Sequence, residues 1–209
     1  MASHIIGLAI PTDKGDKKLT YDKTTRWLHA GLALGITLQL ALSLVMESPE
    51  PDEPAITGIA AATFEVHENV GMVVLAILVL HWLWQLSGHT LHGLGHLFPW
   101  FSASGRAAVV ADAKHLVASR MRDNPEVSPL AGAVHGLGIL VATAMAASGA
   151  VLYFGMADNG SMSKPVNVIE EFHGLMANFM WAYLVGHVAM GALHRKLGHA
   201  DGSEIFRLK

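Results

Sequence analysis

The sequence predicts an all-α membrane protein, a bundle of four transmembrane helices. Of its 209 residues, 52% are apolar and only 15% are charged, well below the roughly 25% of charged residues in an average soluble domain. Crossing a bilayer takes about 20 helical residues, and lipid offers the backbone no hydrogen-bond partner, so apolar stretches of that length are expected to be helices. Four such stretches occur, at residues 24–46, 64–86, 129–156 and 169–193.

The basic residues predict which connections lie in the cytoplasm. The connection 47–63 has no lysine or arginine and carries acidic residues at 47, 50, 52 and 53, and the connection 157–168 has only Lys164. The chain before the first stretch, between the second and third, and after the fourth carries several basic residues in each case. Because cytoplasmic connections are enriched in lysine and arginine, both termini are predicted inside.

Three further segments, besides the two outer connections, lie outside the four predicted helices. Residues 1–20 lack the order of a cleavable signal peptide and are interpreted as a cytoplasmic arm, and residues 198–209 as a cytoplasmic tail. The connection 87–128 is too long for a turn, and residues 104–122 within it have the pattern of an amphipathic helix at the membrane surface. His89, His92 and His96 precede that helix. They fit a metal-binding loop or, as the favoured interpretation, solvated histidines at the interface.

The residue counts narrow the kind of metal centre that the chain can hold. It has no cysteine, which excludes disulfides, thiolate-held iron–sulfur clusters and thioether-attached haem. Thirteen histidines remain as the main candidate ligands. The net charge of -3 speaks against a nucleic-acid partner. A haem-free metal transporter needs polar residues along a path, yet the acids of the predicted helices lie only near the outer ends, at Glu65, Glu68, Glu170 and Glu171.

Two histidines of the fourth stretch indicate two stacked sites. His173 and His187 are 14 residues apart, nearly four helical turns, so they share one face and are separated by about 21 Å along the axis. Histidine in hydrocarbon is costly unless something binds it. One histidine near each membrane surface fits two haems, one per leaflet, better than a single compact metal cluster.

Each site needs a second axial ligand from another helix at the same depth. His67 matches His173 near the outer surface, and His29 matches His187 near the inner surface. His81, 14 residues after His67, competes with His29 for the inner iron, and His135 is a third contender. Two imidazoles close both faces of an iron, which suits electron transfer rather than oxygen binding. Glycines that let a flat macrocycle approach the backbone are expected at Gly31, Gly35, Gly71, Gly136, Gly138, Gly186 and Gly191.

Three motifs carry a resemblance to a known family. "RWLHAGLAL", "EVHENVGMVVLAILVL" and "EFHGLMANFMWAYLVGHVAMGALHRK", with the four-helix plan and long inner connection, resemble the bacterial cytochrome b561 family and the b-type cytochrome subunits of formate dehydrogenases and nickel–iron hydrogenases. The similarity covers residues 20–197. It implies a di-haem domain over residues 21–197, two non-covalent haem b groups and a bacterial inner-membrane location. The usual ligands of the family fall on His29, His67, His173 and His187.

The resemblance also implies a function. It favours His29 over His81 at the inner iron, so that His81 and His135 would neutralise haem propionates or, with Arg26, serve a quinone pocket. The predicted protein carries electrons between ubiquinone or menaquinone and a redox partner protein on the outer side. The alternative is a stand-alone quinone-linked oxidoreductase that oxidises superoxide or reduces a metal ion. The acidic residues at 47–53 disfavour the steering of an anion and suit a cationic protein.

Overall fold

The computed structural model describes residues 21–51, 53–90, 92–118 and 128–196, together with Ile205. The described chain is helical and contains no β-strand, apart from an isolated bridge between Met156 and Met162. The predicted arm at 1–20 and almost all of the tail at 198–209 lie outside the described residues. The helices are α1 (Lys23–Leu42), α2 (Gly58–Leu86), α3 (Leu94–Leu97), α4 (Ala103–Val117), α5 (Pro129–Gly155) and α6 (Lys164–Lys196), with a 3-10 turn at Pro99–Phe101.

Helices occupy all four predicted places, and three of them can cross a membrane by length and composition. In the described part of the chain these are α2, α5 and the segment Lys164–Leu193 of α6. The first, α1, has 20 residues and carries Arg26, His29 and Gln39, whose polar side chains lower its mean hydropathy. The all-helical fold is therefore confirmed in the described chain, whereas the role of α1 as a fourth span stays a prediction.

Side-chain caps fix where two of the helices begin. Asp22 accepts a hydrogen bond from the backbone N–H of Thr25 at 2.7 Å and starts α1. Ser128 accepts one from the N–H of Ala131 at 3.0 Å and starts α5, with proline at the first helical position, where its missing N–H costs nothing. The predicted start of α5 at Pro129 is therefore confirmed. The signal for this start, a capping serine followed by proline, is local to the sequence.

The four long helices pack in the order α1, α2, α5, α6, each along the next. Gly35 permits the close approach of α1 to α2, since a Cβ atom there would lie 2.6 Å from Cγ2 of Val74. The indole N–H of Trp82 donates to the hydroxyl of Thr143 at 3.0 Å and joins α2 to α5. All four helices contribute to the core, which contains Leu32, Leu40, Val74, Leu78, Ala142 and Met180.

The predicted surface helix exists as α4, and one of its faces is turned towards α5. Its partly buried positions recur at helical spacing and include Val109, Asp112 and Leu116. The buried carboxylate of Asp112 accepts hydrogen bonds from the backbone N–H of Leu130 at 3.1 Å and from the hydroxyl of Ser128. The amphipathic pattern therefore reflects packing on the start of α5, and contact with a membrane surface stays a prediction.

The two ends of the bundle differ in charge. The end of α1 meets the start of α2, the end of α5 and the start of α6 at what we call the acidic end, where a Cβ atom at Gly160 would collide with the carbonyl of Pro49. The opposite end, which holds α3 and α4, is called the α4 end. The described charged residues of the acidic end are Glu47, Glu50, Glu53, Glu65, Glu68, Asp158, Lys164, Glu170 and Glu171.

Candidate functional site

Two predicted histidines meet near the acidic end of the bundle. The rings of His67, on α2, and His173, on α6, have centroids 6.4 Å apart and are inclined at 86°. A metal–imidazole bond is about 2 Å long, and the ring centre lies about 1 Å beyond the nitrogen, so two imidazoles on opposite sides of one metal have centroids roughly 6 Å apart. The spacing of this pair, called the acidic-end pair, fits a metal between the two rings.

The ring of His173 is oriented by α5. Oγ of Ser148 lies 2.8 Å from Nδ1 of His173 and also 2.8 Å from the carbonyl oxygen of Ala144 and 3.0 Å from that of Met145. Either carbonyl can take the single hydroxyl hydrogen, and Nδ1–H of the neutral ring can then donate to Oγ. This tautomer leaves the lone pair on Nε2 of His173, the atom available to a metal.

The other member of the pair is held between α1 and α2. The side-chain amide of Gln39 donates to the backbone carbonyl of His67 at 2.9 Å. A Cβ atom at Gly71 would lie 2.7 Å from that amide nitrogen, so glycine leaves the space that the amide occupies. Among the described residues, Nδ1 of His67 is buried without a hydrogen-bond partner, which is costly unless a ligand or water satisfies the ring.

A cavity of about 280 Å³ adjoins the acidic-end pair. Both histidines line it, and its other walls are mainly aliphatic and thioether side chains, with the carboxylates of Glu68 and Glu170 at its edge. Glycine at 149 lets the ring of His173 lie close to the backbone of α5, because a Cβ atom there would lie 3.2 Å from Cε1 of His173. Apolar walls around two facing imidazoles suit a flat, apolar macrocycle that carries a metal.

Three histidines converge nearer the α4 end. The ligand nitrogens of His29 (α1), His135 (α5) and His187 (α6) all lie within 4.8 Å of one another, and we call this group the α4-end cluster. The His29 and His187 rings have centroids 6.3 Å apart, as in the acidic-end pair. His135 lies 6.2 Å from His29 and 5.2 Å from His187. The structure thus brings together the predicted pair and its third contender, and Tyr183 stacks on His187 at 5.4 Å.

Two further predicted residues are buried beside this cluster. His81 is 6% exposed, and neither of its ring nitrogens has a hydrogen-bond partner among the described residues. It lies near enough to His29 and His135 to interact with them electrostatically, but it does not belong to the group whose ligand nitrogens converge. Arg26, on the first turn of α1, is 3% exposed and places a cation at this end of the bundle.

The loop histidines do not form a three-membered metal site in the described chain. The rings of His92 and His96 lie 5.0 Å apart, but His89 is exposed and stacks on Trp84 at 6.0 Å. Burial and the neighbouring His92 lower the pKa of His96.

Tyr21, which the sequence did not single out, contacts both His92 and His135. The ring centroids are 6.0 Å apart for His92 and 6.4 Å apart for His135, so Tyr21 joins this loop to the α4-end cluster.

The predicted glycines serve helix packing more often than the walls of a cavity. Cβ atoms at Gly136 and Gly138 would collide with the carbonyl of Leu97 and with the ring of Tyr183. A Cβ atom at Gly31 would lie 3.3 Å from Ile77. At Gly186 and Gly191 a Cβ atom would meet no described atom within 4 Å, so the described helices do not require glycine there.

Comparison with known proteins gives one match. A family model described as prokaryotic cytochrome b561 covers residues 20–202, well over half of the chain. No curated protein and no solved structure gives a significant match.

Proposed function

Since the chain belongs to the prokaryotic cytochrome b561 family, and is thereby a haem-binding membrane cytochrome of electron transfer, we propose that it carries electrons across the bilayer between the quinone pool and a redox protein on the outer side. The observation that carries this proposal is the pair of matching ring separations, 6.4 Å for His67–His173 and 6.3 Å for His29–His187. Each fits one iron held by two imidazoles.

In this proposal the protein binds two haem b groups, one between His67 and His173 and one between His29 and His187. His173 and His187 lie on one face of α6, about 21 Å apart along the helix axis, so the two groups would sit one above the other in the bundle. Bound haem supplies a one-electron iron couple whose potential depends on its ligands, hydrogen bonds and burial. The helices hold the two groups in a low-dielectric interior and exclude water from the ligating nitrogens.

His29 is proposed as the ligand that faces His187, with His135 beside them. The centroid separation of 5.2 Å between His135 and His187 is shorter than opposite faces of one iron require, whereas that of His29 is not. Neither ring nitrogen of His81 has a hydrogen-bond partner in the part of the chain that the structure describes, which suits a haem propionate or a quinone carbonyl. Arg26 adds a buried positive charge that favours an anionic group at the same end.

The proposed membrane arrangement has four spans, with α1 as the fourth, in the bacterial inner membrane. Both termini and the α4 end face the cytoplasm, and the acidic end faces outwards, in agreement with the distribution of lysine and arginine. Ubiquinone or menaquinone is then oxidised or reduced near the α4-end cluster. The concentration of carboxylates at the acidic end favours a positively charged redox protein there.

One observation favours a second function, a stand-alone quinone-linked oxidoreductase. Glu68 and Glu170 line the cavity that His67 and His173 share, so a small metal cation would be attracted to the outer haem without a protein carrier. The same carboxylates would repel superoxide, the other external substrate considered for this type of enzyme. Stopped-flow measurements of the reduction of a cationic metal complex and of the oxidation of superoxide distinguish the two forms of this alternative.

The full chain in lipid nanodiscs tests the leading proposal. A pyridine haemochrome assay should give two protohaems per chain. A quinol analogue added under anaerobic conditions should reduce both. His67→Ala and His187→Ala should each remove one haem, whereas His89→Ala, at a histidine that stacks on Trp84, should keep both. A correctly folded chain without protohaem would overturn the proposal, and two haems that no quinol analogue reduces would overturn its quinone part.

A further inference from the structure

The geometry points to a positioning role for Ser148: we propose that its hydroxyl fixes the ring of His173 and thereby sets the redox potential of the acidic-end haem. This inference rests on the proposed ligation of that haem by His67 and His173. Ser148 is 5% exposed, and its Oγ lies 2.8 Å from Nδ1 of His173, the ring nitrogen that carries hydrogen when Nε2 binds the proposed iron. Its own hydrogen has acceptors in the carbonyls of Ala144 and Met145, so Oγ can accept the bond from Nδ1–H.

A partner of this kind changes what the opposite nitrogen gives to a metal. A group that accepts a hydrogen bond from one ring nitrogen of a ligating histidine makes the other nitrogen a stronger electron donor and fixes the rotation of the ring. Stronger donation stabilises ferric more than ferrous iron. Removal of the Ser148 hydroxyl should therefore raise the potential of the haem that His173 ligates. Because the site is buried, water cannot easily replace the lost acceptor.

Backbone packing adds a second constraint on the same ring. Gly149 follows Ser148 on α5, and a Cβ atom there would lie 3.2 Å from Cε1 of His173. The imidazole thus rests against the glycine backbone while its Nδ1 is held by the neighbouring hydroxyl. Together these contacts fix both the position and the rotation of the ring before any macrocycle binds.

The two haem sites differ in this respect. The described neighbour that stacks on His187 is the ring of Tyr183, at 5.4 Å and 13°, and stacking does not change the electron donation of a nitrogen as a hydrogen bond does. Ser148 and His135 are 13 residues apart on α5, about 20 Å along the helix axis. A change at Ser148 should therefore affect one haem and leave the other unaltered.

Three substitutions at this position separate the hydrogen bond from the volume of the side chain. Ser148→Thr keeps the hydroxyl, Ser148→Cys keeps the volume with a much weaker acceptor, and Ser148→Ala removes the acceptor. In spectroelectrochemical titrations of the full chain in nanodiscs, alanine should raise the ferrous-to-ferric ratio of the acidic-end haem at fixed potential roughly tenfold, which is about 59 mV for a one-electron couple. Cysteine should give a smaller change in the same direction, and threonine should resemble the wild type.

The control is Thr143→Ala on the same helix. It also removes a hydroxyl, but one that binds the indole of Trp82 rather than a histidine, so both potentials should stay unchanged. The redox transition that persists in the titration of His67→Ala identifies the α4-end haem. The low-spin ferric g values of the other haem give a second readout, which reports the orientation of its histidine ring.

Each result decides the inference. Two bound haems whose potentials in Ser148→Ala and Ser148→Cys equal those of the wild type would overturn it while leaving the proposed function intact. If the alanine variant does not retain the acidic-end haem, the potentials of this haem in Ser148→Cys and Ser148→Thr are compared instead. A higher potential in the cysteine variant supports the inference, and equal potentials in the two variants would count against it. Absence of haem from the wild type would overturn the proposed function itself.

Discussion

The side-chain amide of Gln39 donates a hydrogen bond to the backbone carbonyl of His67, with 2.9 Å between the two atoms. This bond ties α1 to α2 at the level of the acidic-end pair. Gln39→Ala should weaken that connection by about 1 kcal/mol, so the haem proposed for the acidic-end pair should transfer to apomyoglobin severalfold faster than in the wild type. Asn69→Ala is the matched control, since the amide of Asn69 donates to the carbonyl of Glu65 within its own helix.

Loss of haem from Gln39→Ala at the wild-type rate would contradict this expectation. Equal acceleration by Asn69→Ala would show that the effect comes from a general loosening of α2 rather than from the bond between the helices.

The small residue at 149 gives a second prediction. A Cβ atom at this position would lie 3.2 Å from the ring of His173, so the larger side chain of Gly149→Leu should displace the imidazole and fill part of the cavity. Pyridine haemochrome assay should then give one haem per chain, with the α4-end haem retained. Gly191→Leu, at a position where a Cβ atom meets no described atom within 4 Å, should retain two. Two haems in both variants would place the acidic-end haem elsewhere.

Much of this site could be predicted from the sequence because its spacing is helical. The 14 residues between His173 and His187 place them on one face at two depths. Matching each depth to another helix gave His67 for the first and left His29, His81 and His135 as candidates for the second. The resemblance to the family favoured His29, and the structure places His67 and His29 beside the two histidines of α6. The competition at the α4 end was also visible, and the structure retains it, since His135 joins His29 and His187 within 4.8 Å.

Contacts between distant parts of the chain could not be predicted in this way. Ser148 is 25 residues from His173 on another helix, and a buried serine in an apolar helix has no distinctive spacing. Tyr21 reaches both His92 and His135 only because the segment after α2 folds back on the start of α5. The same packing explains Gly136, whose Cβ atom would collide with Leu97, although the sequence suggested a macrocycle there.

His81 provides a third prediction, because its spacing from His67 made it a competitor of His29. It is buried with both ring nitrogens unpaired in the described chain, but it lies outside the converging group of ligand nitrogens. His81→Ala should therefore leave two haems per chain and slow their reduction by a quinol analogue severalfold. His115→Ala, at an exposed position of α4, should alter neither property. Haem content of one per chain in His81→Ala would instead make His81 an axial ligand.

The hydrogen bonds that join Asp112 of α4 to the start of α5 give a fourth prediction. Asp112 accepts from the N–H of Leu130 at 3.1 Å and from the hydroxyl of Ser128, so Asp112→Ala leaves two partly buried donors without this acceptor, at a cost of about 1 kcal/mol. Hydrogen exchange of the α4 amides should accelerate, whereas Lys114→Ala, on the exposed face of α4, should have little effect. Unchanged protection in Asp112→Ala would mean that apolar packing alone holds α4 in place.

The loop between α2 and α4 should respond to pH through His96. Its ring lies 5.0 Å from that of His92, and a Cβ atom at Gly132, at the start of α5, would contact it. Burial and the adjacent His92 lower the pKa of His96, so the unfolded loop takes up a proton more readily than the folded one. Stability is therefore fully present above the ordinary histidine pKa of about 6.5 and decreases as the pH falls through that value towards the lower folded pKa.

Hydrogen exchange at residues 94–101, corrected for the intrinsic effect of pH, measures this loss. Protection in the wild type should decrease between pH 7.5 and 5.5, conditions chosen to bracket the ordinary histidine pKa of about 6.5, and His96→Gln should reduce the decrease because glutamine does not titrate. His89→Gln removes a histidine that is exposed and stacks on Trp84, so its profile should follow that of the wild type. A profile in His96→Gln as steep as in the wild type would assign the response to His92 or to the α4-end cluster instead.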